Sequence, residues 1–162
     1  MNKKIRRVVT GHSEDGTANF VSDEKFATVE IPSGDAAFSL IWTTSSVPAD
    51  LNDTTDGRFR DAGLTINGGS VIRVVDMLPG ASSPFHRSSS IDYGVVMSGC
   101  IELELDNGIF KTCSKGDIIV QQGTIHLWRN PSDTDICRMV FILVEAKPFE
   151  VNGNPLEDVM GR

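Results

Sequence analysis

The chain has 162 residues, the size of one ordinary domain and enough to bury a core without disulfide or metal staples. Hydrophobic residues make up 40% and charged residues 23%, which excludes a disordered chain. A formal net charge of −7, with one short basic cluster at Lys3, Lys4, Arg6 and Arg7, excludes a nucleic-acid partner, and the cluster reads as a solvated strand face.

Strand signals dominate from the start. IRRVVTG (5–11) and TANFVSD (17–23) flank the polar turn HSEDG and predict a hairpin. FATVEI (26–31) and AAFSLIWTT (36–44) follow, separated by PSGD. Residues 45–68 form the longest irregular stretch, with a short helical turn expected at PADLN; a loop of this length is read as a lid or an insertion. SVIRVVDML (70–78) is a strand ending at Pro79-Gly80, and residues 92–99, 100–108 and 109–113 form a meander with a tight turn at Asp106-Asn107-Gly108. Two short strands surround Gly123, and the apolar CRMVFILVEA (137–146) predicts a strand buried on both faces. Only PLEDVM (155–160) resembles a helix. The whole is an all-β chain, a sandwich or barrel, and one domain over 1–162.

The three cysteines, Cys100, Cys113 and Cys137, are odd in number, contain no CxxC pair and read as small buried hydrophobes. No signal-peptide core follows the basic start, and the apolar run at 139–146 is too short to span a bilayer, so a cytoplasmic protein with no membrane partner is expected.

Chemistry-bearing residues concentrate in the second half. Residues two apart in a strand share a face, so His86 goes with Ser88, and Thr124, His126, Trp128 and Asn130 go together. Asp92 can return to the same face from the next strand, with Gly94 and Val96 behind it, while Tyr93 faces away. Two imidazoles and one carboxylate converging in a small barrel would suit a single Fe, Zn, Ni or Mn ion with positions left open. The metal-free alternative uses His86 or His126 as acid or base with Asp92 orienting an imidazole. Trp128 and Trp42 are candidates to line a pocket for an aromatic or apolar substrate. Arg73 would hold a substrate carboxylate if it points inward. One of Gln121 and Gln122 is a candidate to face the pocket. Gly80, Gly99, Gly116 and Gly123 are read as turn residues needing special backbone angles.

These residues resemble the two motifs of the cupin superfamily. The first appears as Gly80, five residues, His86-Arg87-Ser88, three residues, Asp92, six residues and Gly99. The second appears as Gly116, Gln121-Gln122-Gly123, His126 and Asn130. The resemblance covers about residues 66–146, with extra N-terminal strands over 1–45 and a tail over 147–162, and is strongest to small single-domain cupins of fungi and bacteria. It implies a jelly-roll β-barrel. It also implies a small-molecule enzyme, a metal-dependent lyase (decarboxylase or dehydratase) on a small organic acid or polyketide-like substrate, with His86, Asp92 and His126 as catalytic and metal-binding residues. Such a metal would polarise a carbonyl or carboxylate oxygen, and dioxygen chemistry at iron is open to the same residues. Some fungal relatives belong to secondary-metabolite pathways. Three departures bear on the metal: Ser88 replaces a histidine, Asp92 a glutamate, and a glutamine the proline of the second motif. A metal-independent dehydratase or isomerase and a non-catalytic ligand-binding or sensing cupin are the alternatives. No organic cofactor is implied. A homodimer is expected, because the N-terminal strands would otherwise leave open edges.

Overall fold

The computed structural model describes residues 4–161, so Lys3 of the basic cluster lies outside the described residues. Fifteen strands follow one another: β1 (Ile5–His12), β2 (Ala18–Phe26), β3 (Val29–Glu30), β4 (Ala36–Thr44), β5 (Ser70–Met77), β6 (His86–Arg87), β7 (Ser90–Ser98), β8 (Cys100–Glu104), β9 (Phe110–Ser114), β10 (Ile118–Gln122), β11 (Leu127–Arg129), β12 (Cys137–Glu145), β13 (Glu150–Val151), β14 (Asn154–Pro155) and β15 (Val159–Met160). A six-stranded sheet runs in the order β10-β7-β12-β5-β4-β3, and a three-stranded sheet in the order β11-β8-β9. Between them lies the core, with Ile101, Met139, Cys137 and Val96 almost fully buried. Burying each of the larger side chains contributes about 1.5–3 kcal/mol, which is what holds the two layers together.

The turns follow from their glycines. Gly80, Gly99, Gly116 and Gly123 all have φ between 62° and 95°. Gly99 is the most constrained, because a Cβ there would meet the Cys137 Cα and the Ile136 carbonyl at 2.9 Å. Asn107 adopts φ 63° in the turn between β8 and β9, a conformation asparagine tolerates.

Several expectations change. The strand expected over 26–31 divides, its first residue ending β2 and only Val29–Glu30 pairing with β4. The hairpin predicted at the N-terminus forms, as a two-stranded sheet of its own. Its basic residues are not all solvated: Arg6 pairs with Asp23 at the surface, whereas Arg7 is 5% exposed and bonds both oxygens of Asp56 at 2.6–2.7 Å. That pair ties the hairpin to the 45–68 loop. The helical turn of this loop falls at Gly57–Phe59, capped by Asp56, instead of at PADLN. It falls there because Gly57 lies against β4, where a Cβ would sit 2.4 Å from the Thr43 carbonyl.

No helix forms over 155–160. Asn152 and Gly153, both at positive φ, turn β13 back on β14. The chain then adds β15 to the edge of β6, pairing Met160 with His86. The apolar spacing of Leu156 and Val159 mimics a helical stripe, but the backbone is taken up by strand pairing. β12 is buried on one face only. Its inward residues Cys137, Met139 and Leu143 are buried, while Val140, Ile142 and Val144 on the other face are half-buried. Among the described residues no helix is long and apolar enough to cross a membrane.

Candidate functional site

β6 and the residue before β11 meet in a single antiparallel bridge. The His86 amide donates to the His126 carbonyl at 2.9 Å, and the His126 amide donates back at 3.0 Å. Directly opposed residues send their side chains to the same face, so the two imidazoles lie with centroids 4.3 Å apart and planes at 51°. Trp128, two residues further along, shares that face and meets His126 edge-on at 5.5 Å. β7 supplies Asp92 and β5 supplies Arg73, by the alternation that turns Tyr93 outward. The cavity they line measures about 100 Å³ as space open to the centre of a water molecule, several times what one water requires. Phe38, Leu64, Met139 and Phe141 make the rest of its wall apolar.

The polar groups of this cavity are held by specific partners. His86 Nδ1 lies 3.0 Å from the Pro84 carbonyl. A carbonyl oxygen only accepts, so the proton of His86 is on Nδ1 and the Nε2 lone pair is left free. His126 is 1% exposed. Burial, and then the neighbouring His86, lower its pKa to about 4, with the Thr124 carbonyl acting in the opposite direction. Its Nδ1 sits 2.6 Å from Gln121 Nε2 and 2.9 Å from the Thr124 carbonyl. Burial also raises the pKa of Asp92, against the opposing pull of Ser90, His86 and Arg73. Ser90 Oγ donates to Asp92 Oδ1 at 2.5 Å and lies 3.0 Å from Ser88 Oγ.

Arg73 points inward and is 9% exposed. Its Nη2 donates to the Gly63 and Leu64 carbonyls at 2.6 and 2.7 Å, which pins the 45–68 loop as a wall of the cavity. Its Nε is buried without a hydrogen-bond partner, and no carboxylate among the described residues forms an ion pair with it. Burial lowers its pKa and Asp92 partly offsets this, but a guanidinium stays charged at any ordinary pH.

The structure therefore brings His86, Ser88, Asp92, His126, Trp128 and Arg73 to one cavity. Trp42 is not there. β4 carries a bulge between Leu40 and Trp42, so Trp42 is paired with Ile72 instead of with Val71. The extra residue reverses the alternation and turns the indole to the outer face, where the Arg7 guanidinium lies 5.7 Å from its ring. A Cβ at Gly94 would meet Phe141 and Met139 at 3.1 and 3.3 Å.

A divalent metal does not fit this arrangement. Among the described residues no three His, Cys, Asp or Glu side chains come together as a group able to hold a metal ion. Ser88 stands where the motif places an imidazole, and its hydroxyl faces Ser90, as does one oxygen of Asp92. Residues that sequence reasoning missed include Phe38, Met139 and Phe141. Strand alternation could have grouped them with the inward residues once the pairing was known, because Phe38 pairs with Val75 and Phe141 with Arg73.

Comparison with known proteins places this geometry. Residues 73–143 match the cupin domain model. The chain is 41% identical to phomopsin biosynthesis cluster protein C' of Diaporthe leptostromiformis over 96% of its own length and 86% of that protein. It is 35% identical to the cupin-domain-containing oxidoreductase fogC of Aspergillus ruber over 98% of its length and 81% of the relative's. A solved protein with a double-stranded β-helix domain from Klebsiella pneumoniae superposes with a TM-score of 0.52 at 21% identity, covering 74% of this chain and 84% of that one, which shows the fold alone. The chain is a small cupin: it belongs to the cupin family.

Proposed function

We propose that this cupin is an enzyme of secondary metabolism that binds a small anionic organic substrate on Arg73 and moves a proton within it, as a lyase or isomerase. The observation that carries this reading is the buried Arg73 guanidinium, unpaired with any carboxylate among the described residues, in a cavity that also holds two facing imidazoles. A buried cation with no direct ion pair is costly even with Asp92 in the same cavity, and a substrate carboxylate or phenolate would offset that cost. His86, with a free Nε2, is the base. His126 is held neutral, and Asp92 lines the same cavity. The apolar walls exclude water from the reacting carbon. Removal of a proton beside a carbonyl, followed by its return elsewhere or by loss of a β-hydroxyl as water, is the chemistry such a site supports. Membership of biosynthesis clusters among the relatives, such as the phomopsin protein, supports the pathway context.

The test is exchange of substrate protons for deuterium. Enolisable keto carboxylates would be incubated with the protein in deuterated buffer, and loss of the α-proton signal followed by NMR. Exchange should survive chelator treatment and fall at least 100-fold in His86→Gln and in Arg73→Leu. Exchange abolished by chelator and restored by one equivalent of a single metal would replace this reading with the metal-dependent lyase. A second reading, an oxidoreductase, is favoured by the name of the Aspergillus ruber relative. It requires an electron acceptor bound beside the same residues, and its signature is substrate oxidation without proton exchange.

We further propose that the chain pairs with a second copy through the outer face of the six-stranded sheet. Tyr93, Met97, Ile118 and Val120 are 42–70% exposed there, next to the half-buried outer side of β12. An apolar sheet face of this kind marks an interaction surface.

A further inference from the structure

The loop over 45–68 is tied down at both ends from outside the cavity. In its first half Arg7 bonds Asp56, Thr43 Oγ1 donates to the Gly57 carbonyl at 2.7 Å, and Arg60 Nη2 donates to Asp53 at 2.6 Å. At its far end the Gly68 amide donates to the Glu145 carboxylate, and the Glu145 amide donates to the Gly69 carbonyl at 3.2 Å. Residues 61–67 lie between these anchors and are held differently. The Ile66 carbonyl accepts from the Gly69 amide, within the turn that ends the segment. The Gly63 and Leu64 carbonyls accept from Arg73 Nη2 at 2.6 and 2.7 Å. Among the described residues, Arg73 is thus the one side chain that bonds this segment to the sheet. Arg73 and Leu64 both line the cavity. The group that holds the segment shut is therefore the group offered to an anion.

The two tasks compete for the same hydrogens. A carboxylate takes a guanidinium through two parallel bonds, along the Nη1–Nη2 edge or along the Nε–Nη2 edge. Both edges require Nη2. That nitrogen has two hydrogens, and both are given to the loop. A carboxylate cannot make the paired contact while both carbonyls keep their places. We propose that Arg73 is the latch of a gate formed by residues 61–67, and that the carboxylate of an incoming substrate opens the gate by taking Nη2 from the Gly63 or Leu64 carbonyl. This rests on the reading of Arg73 as the anion site and commits its ligand to a carboxylate. The exchange is favourable for two reasons. An ionised carboxylate is a stronger acceptor for a guanidinium than a neutral carbonyl, and it supplies the buried cation with a counter-ion. The displaced carbonyl is not stranded, because Gly63 is exposed and Leu64 half-buried, within reach of water. When the carboxylate leaves, the carbonyls return to Arg73 and Leu64 closes the wall again.

The experiment is backbone ¹⁵N relaxation on the full chain, free and with saturating benzoate, with binding read from the shift of the Trp128 indole N–H. Order parameters over 61–67 should be near the rigid value of about 0.85 in the free protein and fall below about 0.6 with benzoate. Gly57–Phe59, held by Arg7 and Thr43, should stay rigid in both. Arg73→Leu should loosen 61–67 without any ligand and abolish benzoate binding. A segment that stays rigid with benzoate bound overturns the proposal. So does a segment already loose in the free protein, a folded Arg73→Leu variant that keeps 61–67 rigid, or a wild-type cavity that does not bind benzoate. If Arg73→Leu does not fold, the benzoate titration of the wild type decides. Benzoate has no enolisable proton, so the outcome is independent of the chemistry proposed above: absence of deuterium exchange with keto carboxylates, together with loosening by benzoate, would sink the acid–base function and leave the gate standing.

Discussion

Replacing His126 by glutamine removes a group that the fold keeps neutral, and the consequence is a changed pH dependence of stability. In the unfolded chain a histidine titrates near 6.5, while in the folded protein His126 titrates at about 4. Between those values the unfolded state binds the proton and the native state does not, so native stability is full above 6.5 and is lost as pH falls towards 4. The linkage gives a loss of about 2 kcal/mol at pH 5 and about 3 kcal/mol at pH 4 relative to pH 7.5. Asp92 acts with the opposite sign: its raised pKa lends stability at low pH that is lost as pH rises through the folded value. Its contribution is common to both proteins and cancels in the comparison. Urea unfolding followed by circular dichroism at pH 7.5, 6 and 5 would measure the difference. The wild-type midpoint should fall more steeply than that of His126→Gln, by about 2 kcal/mol at pH 5. Parallel curves for the two proteins would refute the claim that His126 is buried as the neutral base.

Three further outcomes follow from the geometry. Trp42→Leu should leave ligand affinity within twofold, because the indole is outside the cavity, yet lower stability by about 1–3 kcal/mol through lost packing on Gly57 and Arg7; isothermal titration and urea melts separate the two. Gly99→Ala should cost about 2–4 kcal/mol in the same melts, since φ is +76° and the added Cβ meets backbone at 2.9 Å. Ile118→Glu combined with Val120→Glu should convert a dimer to a folded monomer by light scattering after size exclusion, and a wild-type monomer would end the proposed pairing.

The amino-acid sequence by itself determined the local elements and the approximate location of the site. Strand alternation put Asp92, His126 and Trp128 on one face, and the glycines marked turns whose positive φ the backbone then adopts, because both signals act between near neighbours in the chain; the facing of Arg73 was left open by the sequence and decided by the structure. The Asn152-Gly153 turn is equally local but was not read from the sequence, where the apolar spacing of Leu156 and Val159 pointed to a helix. What tertiary structure alone decided were matters of register and partnership. One bulge between Leu40 and Trp42 reverses every facing beyond it. The direct opposition of His86 and His126 depends on an isolated bridge between segments forty residues apart. The pinning of the 45–68 loop by Arg73, and the pairing of β15 with β6, join groups distant in sequence. The side on which an imidazole carries its proton depends on which acceptor or donor the fold brings to the other nitrogen, and that is a property of packed neighbours at distances of tenths of an ångström.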